Sequence, residues 1–256
     1  MLRRGSLATM VLLLATALAG PAYAGRPALP PTGTDFDYQL GGSRSVPDHV
    51  GIVVRDREAR TAAGLYNVCY VNGFQTQPNE KRFWRKHWQL VLKKHGKPVV
   101  DEAWGEWVLD IRTGPKRKKL ARIVGRWIDR CAADGFAGVE FDNLDSFVRS
   151  RGLVDRADST RFARRLVQRA HAAGLAAAQK NRAQWDGSTV GFDFAIAEEC
   201  ARWHECGEYV DHYGRHVLAV EYRATDYRNA CRNWADQIAV VRRDVALSRN
   251  GVRTWC

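Results

Sequence analysis

Short apolar runs alternate along the chain with stretches whose apolar residues recur every three or four positions. The runs are FDYQL (36–40), VGIVVRD (50–56), LYNVCYVN (65–72), GVEFDN (138–143), LAAAQKN (175–181), FDFAIAEE (192–199), VLAVEY (217–222) and QIAVVRRD (237–244). Each has the length and bounding residues of a buried strand. Between them Leu120, Ile123, Val124, Trp127, Ile128 and Cys131 fall on one helical face, as do Phe162, Leu166 and Ala170. Gly135 and Gly174 stand where those two helices should stop. Strand alternating with helix predicts a parallel sheet, and eight strands predict a single-domain (β/α)8 TIM-type barrel over residues 36–256. An open doubly wound sheet is the alternative, but no glycine-rich phosphate fingerprint follows any strand. Residues 79–114 should carry one helix and the loop DEAWGEWVLDIR, and the crossover between the sixth and seventh strands must be short.

Ahead of the first strand the pattern changes. Two arginines, an apolar stretch from Leu7 to Ala19 and the triplet Ala22-Tyr23-Ala24 predict a signal peptide over 1–24, cut near Ala24. A Pro-rich lead-in (25–35) follows. The mature protein is therefore expected to be secreted and extracellular, and no later apolar run reaches membrane-spanning length. All six cysteines lie after the leader, which in an exported chain predicts disulfides and leaves their pairing open. Cys200 and Cys206 are close enough for a local loop, and Cys256 is placed to tie down a terminus. A metal site is the competing reading, but no CxxC pair occurs and His204 is the only histidine inside the 200–206 loop.

Lys and Arg number 40 against 28 Asp and Glu, and removing Arg3 and Arg4 with the leader still leaves an excess of +10. The basic residues are scattered, and the densest run, KRKKLAR (116–122), fits the exposed first turns of a helix. With no nucleic-acid motif present, the pattern describes a solvated basic surface rather than a nucleic-acid partner.

In a barrel the chemistry gathers at the C-terminal strand ends. Here those ends are Gln39, Asp56, Asn72, Asp142-Asn143, Lys180-Asn181, Glu198-Glu199, Glu221-Tyr222 and Asp244. Side chains alternate along a strand, so if Val139 and Phe141 pack outward on helices, Glu140 and Asp142 face inward one layer apart. Several carboxylates in one crevice need partners, and Lys180 is the available cation. Glu140 reads equally as a structural partner of Lys180 or as a catalytic acid, and Asp145 reads as a loop or cap residue. A hard cation on Asp142, Asn143 and Asp145 would need the ordered ligand set of a calcium loop, which is missing, so no metal is expected. Tyr70, Trp104, Trp107 and Trp203 lie near these ends and suit stacking on sugar rings. Paired acids with aromatic neighbours are what glycosidic cleavage requires.

CYVNG (69–73), WVLDIR (107–112), GVEFDNLDSF (138–147), QKN (179–181), FDFAIAEEC (192–200) with ECGEY (205–209), and VEY (220–222) resemble, in that order, the motifs of glycoside hydrolase family 114, the endo-α-1,4-polygalactosaminidases and spherulin-4-like proteins. The resemblance runs from about Asp37 to Tyr222. It implies a (β/α)8 barrel that hydrolyses α-1,4-linked galactosamine polymers with two carboxylates and no cofactor, its partner being an amino-sugar polysaccharide. It puts the catalytic Asp on Asp142, as nucleophile, and the catalytic Glu on Glu198, as acid/base. Gln39, Asp56, Tyr70, Trp107, Glu140, Asn143, Lys180, Asn181, Glu199, Glu221 and Tyr222 are expected to shape the cleft of a monomeric enzyme. Two departures stand out: Ala197 replaces a frequent Asn, removing a contact to substrate, and Phe141 replaces a frequent Pro at an outward position. The positive excess would repel a polycation at long range. A non-catalytic wall or matrix protein on the same barrel is the alternative, and the presence of both acids favours the enzyme.

Overall fold

Eight parallel strands follow one another around a nearly closed sheet in the computed structural model, which describes residues 26–256; the expected signal peptide lies outside them. They are β1 (Asp35–Gln39), β2 (Val50–Asp56), β3 (Tyr66–Asn72), β4 (Gly138–Asp142), β5 (Ala176–Lys180), β6 (Phe194–Glu198), β7 (Val217–Glu221) and β8 (Ala239–Arg243), and each pairs with the next. All eight apolar runs became strands of one barrel. The ladder is finished by β9 (Arg253–Trp255), antiparallel on β8. Across the seam back to β1, the Trp255 indole donates to the Phe36 carbonyl at 2.8 Å, and the Gly41 amide donates to the Leu247 carbonyl at 3.1 Å. Buried Asp37 meets Arg253 at 2.6 Å and Arg243 at 3.5 Å there, so its charge is paired at the open edge.

Alternation along the strands sorts the side chains into two cores. Phe36, Tyr38, Ile52, Val54, Val68, Tyr70, Ala176, Ala178, Phe194, Ile196, Leu218, Val220 and Val241 fill the barrel interior. Their neighbours, among them Val139, Phe141, Ala177, Ala195, Ala197, Ala219 and Val240, face the helices.

Helix α1 (Lys81–Lys86) is short, and α2 (Gly114–Ala133) and α3 (Arg156–Ala172) carry the predicted faces. The α2 helix begins at a Thr113 cap, buries Leu120, Ile123, Val124, Ile128 and Cys131, and leaves Trp127 half-buried. The Asp155 side chain caps α3 by accepting from the Asp158 amide at 2.6 Å. Both helices run out just before glycines with positive φ, Gly135 at 85° and Gly174 at 79°, a backbone shape that glycine adopts without strain. Each fully buried Leu, Ile or Phe on these faces contributes roughly 1.5–3 kcal/mol. Two short helices, α4 (Cys200–Trp203) and α5 (Cys206–Tyr213), fill the short sixth crossover, and α6 (Ala224–Trp234) the seventh. Irregular chain makes the β1–β2 and β2–β3 connections.

Residues 79–114 depart from expectation. Besides α1 they form two small hairpins, Lys93–Lys94 with Lys97–Pro98 and Val100–Asp101 with Glu106–Trp107. The lead-in is part of the barrel: Ala28 accepts from the Tyr66 hydroxyl at 2.7 Å, His216 bonds the Pro30 carbonyl at 3.1 Å, and Leu29 packs on the interior cluster from below. Disulfides join Cys69 to Cys131, Cys200 to Cys206 and Cys231 to Cys256, tying β3 to α2, α4 to α5 and α6 to the terminus. Among the described residues no helix is long and apolar enough to cross a membrane.

Candidate active site

Because Val139 and Phe141 pack outward, Glu140 and Asp142 point into the barrel, Glu140 fully buried and Asp142 at the rim. The same alternation brings Lys180 inward from β5 and Glu198 from β6. Three carboxylates converge on the buried Lys180 ammonium: Glu140 Oε1 at 3.1 Å, Asp142 Oδ1 at 3.6 Å and Glu198 Oε2 at 3.3 Å.

Each rim carboxylate has its own fixing groups. Asp142 Oδ2 accepts from the Tyr70 hydroxyl at 2.8 Å, and Oδ1 accepts from the Asn143 amide at 2.7 Å. Glu198 Oε2 accepts from Asn181 Nδ2 at 3.1 Å, and Oε1 accepts from the Tyr222 hydroxyl. Asn181 Oδ1 also holds the Glu198 amide at 2.8 Å. Below them Tyr38 donates to Glu140 Oε1 at 2.7 Å and accepts from Lys180 at 2.9 Å.

The turn that leaves each strand is strained. Asn143 (φ 64°), Asn181 (φ 53°), Arg182 (φ 68°) and Glu199 (φ 57°) all sit in the left-handed region just beyond β4, β5 and β6. Such residues cost about 1–3 kcal/mol each and persist where the surroundings over-determine them, typically around functional sites. Here they carry the backbone away from the rim while turning Asn143 and Asn181 back over it.

Burial pushes Glu140 up to about 7; the Lys180 ammonium opposes the shift and Asp142 adds to it. Its Oε2 has no partner, while Oε1 holds both the Tyr38 hydroxyl and the ammonium. Lys180 is desolvated, yet Asp142, Glu198, Tyr38 and Glu140 together hold it well above the ordinary lysine range. A second acid stands opposite: burial pushes Glu106, on the second hairpin, up to about 7 against the Asn72 hydrogen bond at 2.9 Å, with Asp142 and Asp101 adding to the rise.

The rim encloses a cleft of about 270 Å³, into which the structure gathers Asp56, Tyr70, Asp142, Asn143, Lys180, Asn181, Glu198 and Tyr222 from the expected set. Glu140 supports the cleft from underneath, and Glu199 lines the adjoining groove, ion-paired with Arg202 at 2.8 Å. Three residues expected in the cleft are elsewhere. Gln39 follows inward Tyr38 and therefore faces out, where it bonds Asp37 at 2.7 Å and Arg55 at 3.0 Å. Glu221 follows inward Val220 and likewise faces out, accepting from the Ala201 amide at 2.8 Å. Trp107 is buried on the back of its hairpin, 5.3 Å from the Trp88 ring. Ala197 faces the outer core, so an Asn there would not reach the cleft as the sequence suggested.

Tyr38 and Glu106 line the cleft and were not singled out from the sequence. The signal for Tyr38 was the same alternation that identified Glu140; that for Glu106 was an acid between two tryptophans in WGEW. Ligand atoms of Cys200, Cys206 and Glu221 lie within 4.8 Å of one another, but the two sulfurs are bonded to each other. They have no thiolate to offer a metal.

The sequence matches the family model described as glycoside-hydrolase family GH114 over residues 16–256. No curated protein matches it. Among solved structures it is similar to Ega3 of Aspergillus fumigatus in complex with galactosamine, at 21% identity over 90% of this chain and 97% of that one, with a TM-score of 0.73. It is also similar to the glycoside hydrolase domain of PelA from Pseudomonas aeruginosa, at 15% identity over 87% of this chain and 98% of that one, with a TM-score of 0.58. At these identities the two structures establish the barrel fold.

Proposed function

The chain belongs to glycoside hydrolase family GH114, and from that premise we propose that it is a secreted endo-hydrolase of α-1,4-linked, galactosamine-containing polysaccharide that uses Asp142 and Glu198. The observation that carries this is the shared ammonium. Two carboxylate oxygens held 3.6 Å and 3.3 Å from Lys180 Nζ face one cleft from β4 and β6, the strands on either side of the β5 that carries the lysine. The two distances add to 6.9 Å, so these oxygens stand no farther apart than that, which suits the roughly 5–5.5 Å of retaining glycosidases and falls short of most of the roughly 6.5–9.5 Å range of inverting ones.

Retention then runs in two steps. Asp142 attacks the anomeric carbon while Glu198 gives its proton to the departing glycosidic oxygen, leaving the sugar esterified to Asp142. Glu198, now a carboxylate, takes a proton from water as the water oxygen bonds the anomeric carbon and Asp142 leaves. Tyr70 and the Asn143 amide aim Asp142; Asn181 and Tyr222 aim Glu198. The Lys180 charge, shared among Glu140, Asp142 and Glu198, keeps this acid-rich rim from repelling itself.

The substrate class rests on the family and on Ega3 having been solved with galactosamine. Asp56, Glu106, Asp142, Asp145 and Glu198 around one cleft attract an amine locally although the chain as a whole is basic. Secretion rests on the leader and the three disulfides. Incubation with galactosamine polymers of graded N-acetylation checks the substrate: mixed-length oligomers released from the amine-rich polymer are expected. Release of monomer alone would refute the endo mode, and release only from the fully acetylated polymer would refute the amine preference.

A further inference from the structure

A second groove of about 590 Å³ runs on from the cleft and shares Asn181, Glu198 and Tyr222 with it. Four of the five large apolar side chains exposed on the described surface, Trp104, Val148, Trp203 and Val245, stand along it. Apolar exposure concentrated on one groove marks a binding surface, and two indoles more than half exposed suit sugar faces.

Four acids (Asp145, Glu198, Glu199, Glu205) and three arginines (Arg156, Arg182, Arg202) line this groove, but they are not all paired with one another. Asp145 is paired with Arg149 at 2.7 Å and Glu199 with Arg202 at 2.8 Å, while Glu205 accepts from Gln184 at 2.8 Å. Arg156 and Arg182 also line the groove, and neither meets a carboxylate among the described residues. Both guanidinium groups lie over the Phe147 ring, at 5.1 Å and 5.2 Å, and Arg182 stacks on Trp185 as well at 4.1 Å. Arg182 Nε and Nη1 are buried and donate to nothing. Burial, reinforced by the nearby Arg156, pulls the Arg182 guanidinium down to about 10. Two like charges held on one aromatic ring, one of them on a strained left-handed residue, are an arrangement that a bound anion would stabilise. The planar fork of arginine fits carboxylate and phosphate oxygens.

We propose that Arg156 and Arg182 form an anion subsite, which takes a carboxylate- or phosphate-bearing unit of the polymer beside the sugar cleaved between Asp142 and Glu198. The proposal rests on the polysaccharide reading of the cleft. It names a substrate that suits a chain with a positive excess: an amino-sugar polymer carrying acidic units, which long-range charge would attract rather than repel.

The test is calorimetric binding to the full mature protein carrying Asp142→Asn, so that nothing is hydrolysed. The probes are α-1,4-linked hexamers of galacturonic acid and of N-acetylgalactosamine, with inorganic phosphate as competitor. Binding of the galacturonide at least about tenfold tighter is expected, with the preference lost when Arg182→Gln or Arg156→Gln is added to a protein that unfolds at the same temperature. Displacement of the galacturonide by phosphate supports a site that also reads phosphate esters, and lack of displacement supports one that reads carboxylates. Equal binding of the two hexamers, or a preference that survives loss of both arginines, would overturn the subsite and leave the cleft reading standing. Failure of both hexamers to bind, beside a galactosamine hexamer that does bind, would likewise overturn the subsite, and failure of all three would overturn the cleft reading as well.

Discussion

Lys180 is 2% exposed and neutralises a layer of acids that pair with no other cation among the described residues, so its loss should be felt twice. Lys180→Met strands buried Glu140, and about 3–5 kcal/mol of stability should disappear in urea unfolding. Adding Glu140→Gln should recover part of that stability, while hydrolysis stays lost because Asp142 and Glu198 no longer share a cation. Glu221 isolates a different effect, since it lies outside the cleft. Burial pushes it up to about 7, so the folded protein holds its proton where the unfolded chain has released it. That stability is complete below the unfolded carboxyl range, near 4, and is lost as pH rises through about 7. In Glu221→Gln the decline of unfolding temperature between those limits should flatten in calorimetric scans, and a decline as steep as in the native chain would show that Glu221 is not its source. Lys180 and the acids facing it were legible in the sequence because charge after an apolar run has few explanations. Gln39 and Glu221 were misplaced because being last on a strand says nothing about facing.

At the scale of elements, facing is what decides. The two-residue alternation that sends Glu140 and Asp142 inward also sends Tyr38 inward and turns Gln39, Ala197 and Glu221 out. Applied to every strand, it recovers the site from sequence more fully than strand ends do. The barrel strands were readable because each is an apolar run bounded by breakers. The hairpins around Glu106 were not, because two-residue strands carry no period, and Glu106 went unnoticed with them. Disulfide pairing was equally beyond sequence logic, since it depends on which helix lands on which strand. The Cys69–Cys131 bridge closes a loop of 62 residues, for which chain entropy gives about 4 kcal/mol; the six-residue Cys200–Cys206 loop gives about 2. Replacing both cysteines of the longer loop by Ala should therefore lower the unfolding temperature on the order of 10 °C, roughly twice the effect at the shorter one. Equal shifts in calorimetry would show that loop length does not set the contribution.

For the whole molecule, the question is how a basic surface and an acidic cleft serve one polymer. Scattered arginines and lysines give the positive field, five acids line the barrel mouth, Trp104 stands at its edge and Trp203 lies beyond it. A long chain lying in the mouth would reach Trp203, whereas a short oligomer would not. Trp203→Ala should raise KM for long polymer about tenfold, given about 1–2 kcal/mol for one stacked ring, and leave trimer hydrolysis within a factor of two. An equal loss on both lengths would place Trp203 nearer the reacting bond than its position on the groove allows. The fold itself was almost fully readable; of the groove, single residues such as Trp104, Glu199 and Trp203 were, but not their assembly, because its walls come from six separate segments of chain.

The claim on which the rest depends is that Asp142 and Glu198 together break the glycosidic bond. Reducing-end release from galactosamine polymer by the purified mature protein, beside Asp142→Asn and Glu198→Gln, tests it most directly. Release by the native chain that falls on the order of 10²–10⁴-fold in each variant, with unfolding temperatures unchanged, is the expected result. A folded variant of either kind that still cuts at close to the native rate would contradict it.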